Sequence, residues 1–296
     1  MVNSTSLGWC KSFFGYIKDL IYKEFSMSVR LPRILLTNDD GIDAPGFAIL
    51  EQAAAAFADE VWVVAPAMEQ SAKSQTYSYA TPVRYEKRGD RRFAVHGTPV
   101  DCVLMALGLF MKDNKPSILL SGVNEGTNQG DAVAPSGTVG AALTGLQFGI
   151  PSIALSQCYT HHGDVPWETT KAILPMCLDY FLTEGWNKET CLSVNIPGKS
   201  PEEISGIEWA RQTPKTFKRY DITPFQSPQG RDYAWIAHVS YPFEESGNTE
   251  SAALGRGKVS VVALTNDRSV EVLKPTHPFQ RNRALPTSSA PTKGLT

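Results

Sequence analysis

Two carboxylates stand side by side where the first apolar run of the chain ends, in Asn38-Asp39-Asp40-Gly41. Adjacent carboxylates at the end of a buried strand repel each other and lose hydration, and a divalent cation relieves both costs. Asn, Asp and Gly are also turn formers, and Asp43 can cap a helix beginning at Pro45, so a plain turn is the competing reading.

Three further loops carry unusual chemistry. After Ala65-Pro66, the stretch from Glu69 to Gln75 offers the neutral oxygens of Ser71 and Ser74 and the cation Lys73, although a hydrophilic surface loop has the same composition. The stretch Ser121-Gly122-Val123-Asn124-Glu125-Gly126-Thr127-Asn128 leads through Gly130-Asp131 to Ser136-Gly137-Thr138. Small residues let backbone amides approach a ligand closely, and Ser136-Gly137-Thr138 opens a helical run whose free amides and dipole favour phosphate. A Ser/Thr cap explains Thr138 but not the density of Gly, Asn and Ser. The fourth segment, His96 to Cys102, reads as a helix start with Thr98 and Asp101 as its capping residues.

These loops need a scaffold that brings them to one edge, and the apolar pattern supplies it. Arg33 to Thr37, Val61 to Ala65, Ser117 to Ser121, Ser152 to Ser156 and Leu192 to Asn195 read as buried strands; Pro45 to Ala58, Pro99 to Met111, Gly137 to Phe148 and Trp167 to Leu182 read as helices. Continuous apolar strands separated by helices predict a mostly parallel sheet covered on both faces, a three-layer α/β/α fold that binds ligands beyond the carboxyl ends of its strands. Four regions follow: an amino-terminal extension (1–30), the α/β core (31–200), a C-terminal extended β arm (201–282) and a Pro/Ser/Thr-rich tail (283–296) predicted to be disordered. In the extension, Leu7, Phe13, Phe14, Ile17, Ile21 and Phe25 have near-helical spacing, and Met27 offers an alternative start. In the arm, Tyr233 to Val239 and Lys258 to Leu264 read as strands without intervening helices.

Composition narrows the function classes. The chain has 296 residues, 42% hydrophobic and 20% charged, with a net charge of −2, which supports a sizeable core and no broad phosphate-neutralising surface for nucleic acid. Five scattered cysteines, none in a C-x-x-C pair, argue against a disulfide framework or zinc ribbon and for a reducing, cytoplasmic setting. Charges at Lys11, Lys18, Asp19, Lys23 and Glu24 interrupt the early apolar stretch, so neither a membrane span nor a classical signal peptide is predicted.

Taken in order, Leu36-Thr37-Asn38-Asp39-Asp40-Gly41, Gly97-Thr98-Pro99-Val100-Asp101-Cys102, the Ser121 to Asn128 stretch and Ser136-Gly137-Thr138-Val139 closely resemble the SurE family of stationary-phase survival proteins, metal-dependent nucleotidases. The resemblance runs from about Arg33 to Pro197 and weakly to Leu264. It implies a Rossmann-like core with an extended arm used in homodimers or homotetramers. It further implies one divalent cation per subunit, Mg2+ or Mn2+, on Asp39, Asp40, Ser71 and Asn124, with Asn38, Ser136, Gly137 and Thr138 holding or lining the phosphate site. The implied activity is 5'-nucleotidase hydrolysis of nucleoside monophosphates, with 3'-nucleotide and polyphosphate hydrolysis as possible extensions, by attack of a metal-activated water that Asp39 or Asp40 helps deprotonate. This chain departs from the family pattern at three places: Ala72 stands where glycine is usual, Pro135 replaces an aromatic residue, and Ser260-Val261-Val262-Ala263-Leu264 replaces the usual arm motif. Ala72 fits that position only where its backbone does not need positive φ.

Other readings are weaker. An aspartyl-phosphate phosphatase carries carboxylates one residue apart rather than adjacent, and no Gly-x-Ser-x-Gly elbow marks a serine hydrolase. His161-His162 reads as a solvated pair and His96 as incidental. The cluster Arg84, Lys87, Arg88, Arg91 and Arg92 lies around a predicted hairpin at Gly89-Asp90, where it would either steer anions or be a solvated face. The non-enzymatic alternative is a nucleotide- or phosphate-sensing module without turnover, against which the Asp39-Asp40 pair speaks, because a pure anion binder gains nothing from two extra negative charges.

Overall fold

The computed structural model describes residues 29–244 and 246–269; the amino-terminal helical pattern and the Pro/Ser/Thr-rich tail lie outside the described residues. In chain order the elements are β1 (Leu31–Thr37), α1 (Pro45–Ala54), β2 (Ala58–Pro66), β3 (Tyr85–Gly89), β4 (Arg92–Val95), α2 (Pro99–Met105), β5 (Ile118–Glu125), α3 (Gly137–Gln147), β6 (Ser152–Gln157), α4 (Trp167–Glu184), β7 (Cys191–Ile196), β8 (Ile207–Trp209), β9 (Phe217–Gln226), β10 (Asp232–Ser240), α5 (Glu250–Gly255) and β11 (Val259–Leu264).

A nine-stranded sheet runs in the order β3-β4-β2-β1-β5-β6-β7-β11-β8. The inner six strands, β4 to β7 in that order, are parallel, whereas β3 pairs antiparallel with β4 and β11 pairs antiparallel with β7 and parallel with β8. Side-chain alternation in β1 divides the two faces. Ile34 and Leu36 pack with Phe47 and Leu50 of α1 and with Leu174, Leu178 and Phe181 of α4. Leu35 packs on the other side with Cys102 and Val103 of α2 and Ala141 of α3. Each such fully buried Leu, Ile or Phe contributes about 1.5–3 kcal/mol relative to exposure, which makes the sheet sandwich the main source of stability.

Local sequence sets the helix starts. Pro45 and Pro99 occupy first-turn positions, Thr98 and Asp101 form a reciprocal capping box, and Ser136 caps α3 by accepting from Val139 N at 3.1 Å. The helix predicted through Met111 is α-helical only to Met105 and continues as a π-helical turn over Ala106–Phe110.

The C-terminal region differs from the sequence expectation. Phe217–Gln226, a part of the arm not singled out as a strand from sequence, is a strand that pairs antiparallel with β10 as a separate two-stranded ribbon. Helix α5 follows that ribbon, and β11 returns to the main sheet beside β7 rather than extending the arm. The ribbon is solvent-exposed on both faces, so it has no apolar alternation to announce β9.

Candidate active site

Parallel pairing of β1 with both β2 and β5 brings the loops after these three strands to one edge of the sheet, where the strand order reverses. Asn38 is fully buried there, and its Nδ2 donates to Gly41 O at 2.8 Å. Its Oδ1 is buried without a hydrogen-bond partner. Such an orphaned acceptor is costly and marks a place where a further donor or a cation belongs.

Asp39 is buried against the first turn of α3. Thr138 Oγ1 lies 2.5 Å from Asp39 Oδ1 and 3.1 Å from Asn124 Oδ1, so one hydroxyl joins residues from β1's end, β5 and α3. Burial pushes the Asp39 carboxyl above its ordinary range, offset in part by the Thr138 hydroxyl and by backbone amides of Thr138, Asp39 and Gly137. Asp40 is raised to about 7 by burial, then by the charge of Asp39 and those of Glu125 and Glu69, against one amide bond from Glu125 N at 3.2 Å. Neither carboxylate pairs with a lysine or arginine among the described residues.

Asn124 reaches this cluster through an irregularity: the β5–β6 register shifts between Ser121 and Asn124, which re-aims the strand end. Its Nδ2 donates to Gly126 O at 2.8 Å, which turns Oδ1 toward Thr138. Ser71 stands apart from the others. Its hydroxyl donates to Glu69 Oε1 at 2.9 Å, while the neighbouring Gln70 N donates to Asp39 O at 2.7 Å and ties this loop to the cluster. Ser136 and Gly137 lie on the same side as Asp39, Ser136 as the α3 cap and Gly137 directly over the carboxylate.

The donor set fits a hard divalent cation. One buried and one half-buried carboxylate without a basic partner, an orphaned amide oxygen, a second amide oxygen and two hydroxyls are all oxygen ligands, the preference of Mg2+ and Mn2+. No group of three or more His, Cys, Asp or Glu side chains suited to a metal occurs among the described residues, so the amide and hydroxyl oxygens have to complete the set.

Several residues that the loops did not single out from sequence also touch the site. Glu69 and Glu125 face Asp40, and Tyr159 Oη lies 3.4 Å from Glu125 Oε1. The bracing of the Asp39-Asp40 loop was equally hidden: Arg92 donates to Ile42 O at 3.0 Å and pairs with Glu51, and Arg88 Nη1 lies 2.9 Å from Asp43 Oδ2. The basic cluster is thereby largely neutralised, since Arg84 pairs with Glu86 and Arg91 with Glu60. His96 lies against Glu86 at 2.9 Å, and Asp101 holds Ser78 as well as the start of α2. The departure at Ala72 has a structural counterpart: Ala72 has φ 59° and Ser74 φ 53°, both in the left-handed region.

The chain is similar to known proteins over most of its length. The pattern of the family described as Survival protein SurE matches residues 34–219. A Burkholderia lata protein named 5'-nucleotidase SurE 1 is 44% identical over 80% of this chain and 92% of its own length. A Caulobacter vibrioides protein named 5'-nucleotidase SurE is 40% identical over 82% of this chain and 95% of its own. The crystal structure of the SurE protein from Aquifex aeolicus superimposes with a TM-score of 0.69 at 33% identity, covering 80% of this chain and 95% of that one. A family pattern spanning more than half of the chain, relatives at this identity and the shared α/β architecture lead to one conclusion: this chain belongs to the SurE family.

Proposed function

We propose that the protein is a divalent-metal-dependent phosphomonoesterase acting on nucleoside monophosphates, a 5'-nucleotidase. The observation that carries this reading is the oxygen-only cluster in which Thr138 joins Asp39 to Asn124 at the amino terminus of α3. The names of the relatives, 5'-nucleotidase SurE, support the same substrate class.

In this reading Asp39, Asp40, Asn124 and Ser71 hold one Mg2+ or Mn2+, which supplies Lewis-acid polarisation of a phosphoryl oxygen and a lowered pKa for water. The protein's own groups do the rest. Ser136 Oγ accepts from Val139 N, leaving its proton free to donate to a phosphoryl oxygen. The first turn of α3 adds its dipole and amides against negative charge. Thr138 fixes the relative position of Asp39 and Asn124, and Asn38 lines the phosphate site through its unpartnered Oδ1, which can accept from a donor there. Hydrolysis of 3'-nucleotides and of polyphosphate belongs to the same proposal, because in-line displacement at phosphorus makes few demands beyond positioning and charge stabilisation.

Two further assignments accompany it. The β9–β10 ribbon exposes Tyr220, Ile222, Trp235 and Ile236, and a second copy of the chain covering them would give a homodimer or homotetramer. The described cysteines, Cys102, Cys158, Cys177 and Cys191, are free and buried, which agrees with a cytoplasmic setting. No helix among the described residues is long and apolar enough to cross a membrane.

Phosphate release from 5' and 3' nucleoside monophosphates and from polyphosphate, by metal-stripped protein with and without Mn2+ or Mg2+, tests the reading. Turnover restored by metal and abolished in Asp39→Asn is the expected result. Nucleotide binding without turnover under every metal would replace it with the sensing module. Sedimentation of the intact chain beside a Trp235→Ser, Ile236→Ser variant tests the oligomer.

A further inference from the structure

We propose that the cavity walled by Tyr159, Trp167 and Phe243 is a subsite for the nucleobase end of the substrate's leaving group; the inference rests on the nucleotidase reading above. The cavity has a volume of about 1140 Å³ and opens where β6 and β7 end, with the first turn of α4 on one side. That is ample for a nucleoside, since small-molecule sites run from about 300 to 1,000 Å³.

The cavity and the carboxylate cluster share a wall. Tyr159 Oη lies 3.5 Å from Glu125 O and 3.4 Å from Glu125 Oε1, and Glu125 N donates to Asp40 Oδ2 at 3.2 Å. The leaving group of a monoester whose phosphate sits at Asp39 and Asp40 reaches the cavity by passing Glu125 toward this ring. The rings are held in place by close backbone packing. A Cβ at Gly198 would come within 1.9 Å of Tyr159 O, one at Gly126 within 3.0 Å of Tyr159 Cε2, and one at Gly46, in the first turn of α1, within 2.7 Å of Trp167 Cη2.

The lining suits a planar, heteroaromatic group. Tyr159 and Phe243 are 46% and 40% exposed, so part of each ring is accessible from the cavity. Among the described residues none of the three rings stacks on another aromatic side chain or under a cation, so their faces are open. His161 and His162, with ring centroids 3.7 Å apart, and Lys199 bring donors and acceptors to the same cavity, where base edges need them. Stacking tolerates every base, so the subsite selects a nucleoside over a bare sugar rather than one base over another.

The test compares kcat/KM for AMP and UMP with kcat/KM for ribose 5-phosphate, which carries the same phosphate linkage without a base. Tyr159→Ala and Phe243→Ala are each expected to lower the nucleotide-to-ribose 5-phosphate ratio about 5- to 100-fold, mainly through KM. Tyr159→Phe, which keeps the ring and loses the hydroxyl beside Glu125, is expected to keep the ratio. An unchanged ratio in either alanine variant, or an equal fall on both substrates, would overturn the subsite. A second readout is independent of turnover: saturation-transfer NMR of metal-free protein with adenosine should reach the base protons, and the Tyr159→Ala, Phe243→Ala double variant, checked for folding by circular dichroism, should lose that transfer. Equal transfer in both proteins, or none in the wild type, refutes it. Failure to hydrolyse any monoester would remove the nucleotidase reading alone, because the adenosine experiment still decides the subsite.

Discussion

Gly137 lies directly over the carboxylate of Asp39: a Cβ at Gly137 would come within 2.8 Å of both Asp39 Cβ and Oδ2. The first turn of α3 and the Asp39 side chain are thus in contact closer than any other residue type permits. Gly137→Ala is expected to displace the carboxylate and lower turnover by 100-fold or more, at a stability cost of about 1–3 kcal/mol from overpacking. Steady-state kinetics with saturating Mn2+, beside a thermal melt, checks this; wild-type activity in Gly137→Ala would show that Asp39 does not have to sit where it does.

Thr138 contributes the hydroxyl shared by Asp39 and Asn124. Thr138→Val keeps the volume and removes the bridge, leaving the buried Asp39 carboxyl without its hydroxyl donor, a cost of about 1–3 kcal/mol. The variant should melt lower than the wild type without metal, and Mn2+ should recover part of the difference by satisfying the same oxygens. Differential scanning calorimetry with and without Mn2+ reports both effects, and a melting temperature equal to that of the wild type in both conditions would count against the bridge.

Ala72 is held at φ 59°, where an L-residue other than Gly pays about 1–2 kcal/mol. Ala72→Gly removes that cost but gives back about 0.4–1 kcal/mol through a more flexible unfolded chain. The net expectation is a gain of about 0.5–1 kcal/mol in urea denaturation, whereas Ala72→Val, with a branched side chain at the same φ, should lose stability. A loss in Ala72→Gly would mean that the strain is relieved elsewhere in the Ser71 to Gln75 loop.

Glu250 is fully buried at the start of α5, where its Oε1 accepts from Gly130 N at 2.7 Å and Thr213 N at 3.2 Å, and its Oε2 has no partner. Burial raises its pKa from 4.5 to about 7, against the two amides. The folded state therefore holds a proton between these values that the unfolded chain releases. The stability this lends is complete below pH 4.5 and is lost as pH rises through about 7, a change of about 3 kcal/mol at most. Glu250→Gln should remove this slope, so that the wild type and the variant converge near pH 5 and the variant is the more stable at pH 8. Parallel curves across that range would place the proton elsewhere.

The core strands, the starts of helices α1 to α4 and the loops that gather at one edge were legible from the chain because each depends on neighbours within a few residues. Apolar runs such as Ile34 to Leu36 mark buried strands, and Thr98 with Asp101 announces the start of α2. The adjacent carboxylates were equally plain, since their repulsion is a property of sequence neighbours. What lay beyond the sequence depends on residues far apart in it. Strand β9 is exposed on both faces and lacks apolar alternation, β11 enters the sheet by pairing with β7, and the arginines from Arg84 to Arg92 are balanced by Asp43, Glu51, Glu60 and Glu86. Composition and spacing determined which groups reach the edge of the sheet; long-range pairing decided that Thr138 bonds Asp39 and Asn124 and that Glu250 is buried under Gly130. Hydrogen bonds and burial between segments tens of residues apart depend on tertiary geometry, which carries no local periodicity for a sequence to display.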